Sequence, residues 1–193
     1  MAHKPPLSAK RLETRRELVA AALEVVARDG FHGATVNAIA QRAGFSTGAV
    51  YANFSGKDEL FLAVFEEHMR WFGDQVAQVT EAAEPAAAIE YAAGMMSHDR
   101  SQFLVFVEFW TYAVRRPVLR RRLAARLTEM RTIVVRALEE RERRTGSSSG
   151  LPLETIALLG LAVGRGLTLE RFVDPDAISD RRIGQVMGAL VDR

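Results

Sequence analysis

Cysteine is absent from the 193-residue sequence, which excludes disulfides, thiolate metal sites and cysteine nucleophiles and is compatible with a reducing cytoplasm. The four histidines, at 3, 32, 68 and 98, form no paired metal-ligand spacing and lie beside no convincing nucleophile motif. Gly44-Phe45-Ser46-Thr47-Gly48 fits Gly-x-Ser-x-Gly, but a short helix precedes it where that nucleophile turn needs a strand. An enzyme, a metal site and a bound cofactor are therefore not expected. Long apolar runs are also missing. Leu151 to Val163 is too short to span a bilayer and is followed by Arg165, so no membrane partner is expected. Residues 1–10 carry Pro5 and Pro6 without an apolar run, and read as a flexible arm rather than a signal peptide.

What remains is ordinary for a folded chain: 48% hydrophobic residues, with the 26% charged residues mixed in sign. The formal charge is only +2, but it is unevenly spread. Eight Lys/Arg face four Asp/Glu up to Lys57, leaving a net −2 behind that point. A basic front suits a partner such as DNA, and equally a solvated surface.

Apolar residues recur at helical spacing and no alternating run is bounded by hairpin signals, so the expected fold is all-α. A first helix should start after Ser8, bury Leu18, Ala22 and Val25, and end at Gly30 in the left-handed conformation. Thr35 should cap a second helix with Val36, Ile39, Ala40 and Ala43 inward, stopped by Gly44. Ser46 should cap a third, with Val50 and Phe54 inward, and Ser55 with Asp58 suggests a capping box for a fourth running to about Val79. Further helices are expected from Pro85, from Ser101 to Pro117, and from Pro117 along the stripe Leu119, Leu123, Leu127, Met130, Val134 and Leu138. After the loop 146–150, Pro152 should open one more helix and Asp174-Pro175 the last.

Two short helices joined by a turn at Gly44 have the layout of a helix-turn-helix, whose second helix enters the major groove. Ser46, Thr47, Gly48 and Ala49 are small, which lets the backbone approach base edges and phosphates. Tyr51 and Lys57 offer a phenol and a point charge for phosphates. Residues 35–40, 43–54 and 57–61 together strongly resemble the head of the tetracycline-repressor (TetR) family, over roughly the first third of the chain. The resemblance implies a helix-turn-helix head at 1–56 and a helical ligand-sensing and dimerisation body at 57–193. It further implies a one-component transcriptional regulator, most often a repressor, that binds a palindromic operator in double-stranded DNA as a homodimer. A small-molecule ligand in the body would release it. By position, the expected DNA contacts are Thr35, Ser46, Thr47, Gly48, Ala49, Tyr51, Asn53 and Lys57.

In the body, Trp71, Phe72, Met95, Met96, Phe103, Phe106 and Trp110 are candidate ligand contacts, although a helical core needs the same residues. Glu108, Tyr112 and Arg115 share a helical face, as polar groups for a ligand or as a solvent-facing ion pair. Eleven arginines against four glutamates lie between Arg115 and Arg144, which could mark a second polyanion site or an acidic-ligand entrance but reads first as the solvated face of an amphipathic helix. Gly160 and Gly164, with Val186 and Leu190, mark the expected dimer interface, where close approach of a partner helix would offset the cost of glycine inside a helix.

Overall fold

A computed structural model describes residues 9–81, 100–146, 148 and 150–191. These residues form eight helices and no strand: α1 (Ala9–Gly33), α2 (Val36–Arg42), α3 (Thr47–Asn53), α4 (Lys57–Glu81), α5 (Arg100–Val114), α6 (Pro117–Thr145), α7 (Leu153–Val173) and α8 (Asp180–Val191). The helix expected from Pro85 lies outside the described residues, as does Ser8.

The described residues divide into two compact units. The first takes the described residues up to His68 together with Leu104–Leu123. Its core begins on α1, where Leu18, Ala22 and Val25 sit on one face and are buried. Ile39 and Ala40 of α2, Val50 of α3 and Phe54 close over that stripe. Leu60, Phe61, Val64 and Phe65 of α4 and Phe106, Phe109 and Ala113 of α5 extend the core. Each of these large side chains contributes about 1.5–3 kcal/mol through burial.

Local chemistry sets the helix ends. Gly30 has φ 72 and ψ 166, so α1 is interrupted there. That ψ is extended rather than left-handed helical, a region open essentially to glycine alone, and it swings Phe31 back into the core. Thr35 accepts from Ala38 N–H at 3.1 Å and Ser46 from Ala49 N–H at 3.2 Å, the expected N-caps. Gly44, at φ 73, makes the turn between α2 and α3. The expected pairing of Ser55 with Asp58 does not form. Ser55 N–H instead donates to Glu59 Oε2 at 2.7 Å, which leaves Asp58 for another partner.

The second unit comprises the described residues of Met69–Phe103 and of the chain from Ala124 onward. Met130 of α6, Ile156, Ala157, Leu161 and Thr168 of α7 and Ile183 of α8 are buried there. The Thr168 hydroxyl is satisfied by donating to the Gly164 carbonyl at 2.8 Å. Asp174 does not open the last helix. Its Oδ1 accepts from Ala177 N–H at 3.0 Å in the turn that precedes α8, and Ser179 Oγ caps α8 by accepting from Arg182 N–H at 3.3 Å.

Candidate nucleic-acid interface

The helix-turn-helix is assembled from α2, the Ala43-Gly44-Phe45 turn and α3. With Val50 and Phe54 committed to the core, the opposite face of α3 turns outward. Ser46, Thr47 and Gly48 are exposed, Ala49 is half-buried, and Tyr51 stands 59% exposed. A Cβ placed on Gly48 would meet only Ser46 Oγ, so the first turn is bare enough for a backbone or base edge to come close. The first N–H groups of an α-helix lack partners of their own, which suits them to an anion. Thr35 is exposed at the start of α2, one hydroxyl lone pair already used in capping.

Two of the expected DNA contacts are engaged inside the protein. Asn53 Nδ2 donates to the Ala49 carbonyl at 2.9 Å, and its Oδ1 is buried without a partner. Lys57 Nζ donates to the Phe31 carbonyl at 2.9 Å and lies over the rings of Phe31 and Phe61. Burial pulls the Lys57 ammonium below its usual pKa, partly offset by the charge of Asp58. At the C-terminal end of α3, Arg11 donates to the Ala52 carbonyl at 2.6 Å and Arg15 to the Asn53 carbonyl at 2.7 Å, satisfying acceptors that α3 leaves free.

Long-range contacts that sequence reasoning missed hold this head. Phe31 N–H donates to Glu108 of α5, while its ring packs against Phe61, Tyr112 and Phe109. Tyr112 donates to Asp58 Oδ1 at 2.7 Å. Glu108 and Tyr112 are thus spent on the interruption of α1 at Gly30–Phe31 and the start of α4, not on a pair with Arg115. Their helical spacing was visible in the sequence, but their partners were not.

The candidate ligand contacts fall into separate groups. Phe106 stacks on Phe65 at 5.4 Å and meets Trp110 edge-on at 5.1 Å. Phe103 packs edge-on against Phe172 at 5.5 Å. Trp71 is 39% exposed and Phe72 half-buried, and Met95 and Met96 lie outside the described residues. A further residue that the sequence did not mark is Arg165 of α7. Burial, and then the charge of Arg131, lower it to about 10, and it donates to Met130 Sδ at 3.1 Å.

Among the expected interface residues, Gly164 is buried within its own unit, and a Cβ on Gly160 would lie 3.6 Å from Met187 Cε of α8. Val186 is exposed and Leu190 half-buried. Among the described residues, no group of three His, Cys, Asp or Glu is placed to hold a metal, and no helix is long and apolar enough to cross a membrane.

Comparison with known proteins agrees with this architecture. Residues 18–64 match the model of the bacterial regulatory proteins of the tetR family, and residues 86–193 match that of the BetI-type transcriptional repressor C-terminal region. The nicotine-responsive transcriptional repressor HdnoR of Paenarthrobacter nicotinovorans is 26% identical over 189 residues, 94% of this chain and 93% of that protein. A solved transcriptional regulator from Rhodococcus sp. Rha1 superposes with a TM-score of 0.72 at 28% identity, covering 92% of this chain and 93% of its own. A regulator from Saccharomonospora viridis, solved in complex with choline, shares the fold with a TM-score of 0.74 at 18% identity, over 94% of this chain and 97% of its own. The capped helix-turn-helix and the helices behind it are therefore those of a DNA-binding transcriptional regulator, and the chain belongs to the tetR family.

Proposed function

We propose that the chain is a one-component repressor that binds a palindromic operator as a homodimer and leaves it when a small molecule occupies the helical body. The observation that carries this reading is the exposed first turn of α3, with Ser46, Thr47, Gly48 and Ala49 presented by a helix whose other face is locked by Val50 and Phe54. In this reading Thr47 reads bases, while Thr35, Ser46, Gly48 and Tyr51 meet phosphates or bases alongside it. Lys57 contacts a phosphate by turning from the Phe31 carbonyl, and Asn53 is a contact only if it releases Ala49. The head is 1–56 and the sensing and dimerisation body 57–193. The protein acts in the cytoplasm by binding, without catalysis or a resident cofactor.

For dimerisation, Leu158, Ala162, Leu169 and Val173 are exposed at spacings that place them on one side of α7, and Val186 is exposed on α8. These apolar residues, with Leu190 of α8, form the two-fold interface, while Gly160 and Gly164 lie on the other side of α7, Gly160 towards Met187 of α8. The effector is met by apolar side chains of the body, for which Phe106 and Trp110 in the first unit and Trp71, Phe72 and Phe103 in the second are separate candidate groups. Choline in one structural neighbour and the nicotine response of HdnoR support a small-molecule trigger without giving its class for this chain.

The test is a binding-preference comparison on duplex libraries. Exchanging Thr47 for Gln should change which sequence is preferred, whereas Tyr51→Phe should weaken all sequences about equally. An unchanged preference in the Thr47 variant removes its base-reading role.

A further inference from the structure

We propose that the corner between α5 and α6, residues 115–122, is a second DNA-backbone surface, its arginines taking phosphates of the duplex beside the groove that α3 enters. The proposal rests on the DNA-binding reading above. Arg115, Arg116, Arg120, Arg121 and Arg122 fall within eight residues and are all exposed, and the sequence has no acidic residue between Glu108 and Glu129. Other arginines on this chain find carboxylates: Arg15 with Glu59, Arg28 with Asp29, Arg42 with Glu24, Arg126 with Glu129 and Arg171 with Asp180. Among the described residues, the side chains of Arg115, Arg120, Arg121 and Arg122 have no such partner.

Their placement disfavours a stabilising role. Arg120, Arg121 and Arg122 stand at the start of a 29-residue helix with no acid in its first turn, where the helix dipole repels cations and attracts phosphate. The corner belongs to the same compact unit as the helix-turn-helix. Arg116 lies 3.4 Å over the Tyr112 ring and donates to the Tyr112 carbonyl at 3.2 Å, and Tyr112 is bonded to Asp58 in the first turn of α4. Up to Lys57, Arg11, Arg15, Arg28, Arg42 and Lys57 itself are engaged internally, and among the described residues there Lys10 and Arg16 are the cations left without a partner. Operator binding draws on several phosphate contacts. The corner supplies cations that the head lacks, which favours nucleic acid over an acidic protein or a lipid surface.

The experiment measures operator affinity of the full chain against KCl concentration, using duplexes with flanking sequence, for the wild type and for R120Q/R121Q/R122Q. Leu119 and Leu123, the buried neighbours, are left in place. The triple variant should show a salt slope shallower by about 2–3 and an affinity roughly 10–100-fold weaker at low salt, with the preferred sequence unchanged. R120K/R121K/R122K should retain the wild-type slope, which separates lost charge from lost fold. A wild-type slope in the glutamine variant overturns the proposal. Arginine-dependent binding to phosphatidylglycerol vesicles with an unchanged slope would overturn it in favour of lipid. Failure of the wild type to bind any operator sinks the underlying DNA reading, an outcome distinct from an unaltered slope.

Discussion

Tyr112 donates its hydroxyl to Asp58 Oδ1 across 54 residues of sequence, at 2.7 Å, and so fixes the end of α5 to the first turn of α4. Burial first, and then this bond, raise the Tyr112 pKa above 10.0. The folded value lies above the unfolded one. The stabilisation is therefore complete below pH 10 and is lost as pH rises through the raised folded value. Lys57 acts oppositely: burial lowers it from 10.5, so its penalty is present at neutral pH and is relieved as pH climbs from the lowered value towards 10.5. Tyr112→Phe should cost about 1 kcal/mol at pH 8 and remove the alkaline loss, as read from urea unfolding between pH 8 and about 11.

Gly30→Ala should destabilise the chain by about 1–3 kcal/mol, because φ 72 with ψ 166 is open essentially to glycine alone. The added methyl also approaches the Glu108 carboxylate that receives Phe31 N–H. Chemical denaturation checks this. An unaltered midpoint would mean that the turn relaxes without cost.

Ser46→Ala and Tyr51→Phe should separate folding from binding. The first removes the cap on Ala49 N–H and should cost about 1 kcal/mol. The second alters an exposed side chain and should leave the melting transition within about 0.5 kcal/mol of wild type while weakening DNA binding. Thermal melts run beside anisotropy titrations read both effects.

Leu158→Arg should abolish dimers and leave the subunit folded, since Leu158 is 55% exposed on its own chain. Sedimentation velocity over a range of concentrations should show a monomer with a native helical spectrum. A dimer as tight as the wild type would remove α7 from the interface.

Much of the head was legible because its signals are local. Thr35 and Ser46 reach N–H groups three residues on, and Gly44 needs only its own φ, so sequence spacing sufficed. The N-terminal ends of α4 and α8 differ from the sequence expectation because a second residue a little further along offers the same capping chemistry. Glu59, one residue beyond Asp58, reaches back to Ser55, and Ser179 caps the helix that Asp174 had been expected to open. Pairings set by tertiary packing, such as Glu108 with Phe31 and Lys57 with the Phe31 carbonyl, leave no periodic trace. For the same reason the aromatic residues of the body could be recognised as buried candidates but not sorted into clusters.

Selection of bound duplexes from a random library by the wild-type protein, at near-physiological salt, tests the central claim most directly. The account predicts enrichment of two inverted half-sites whose centres lie one or more helical turns apart, as two symmetry-related copies of α3 require. Retention that is salt-sensitive but independent of sequence would contradict it, and would leave the exposed face of α3 without its assigned role.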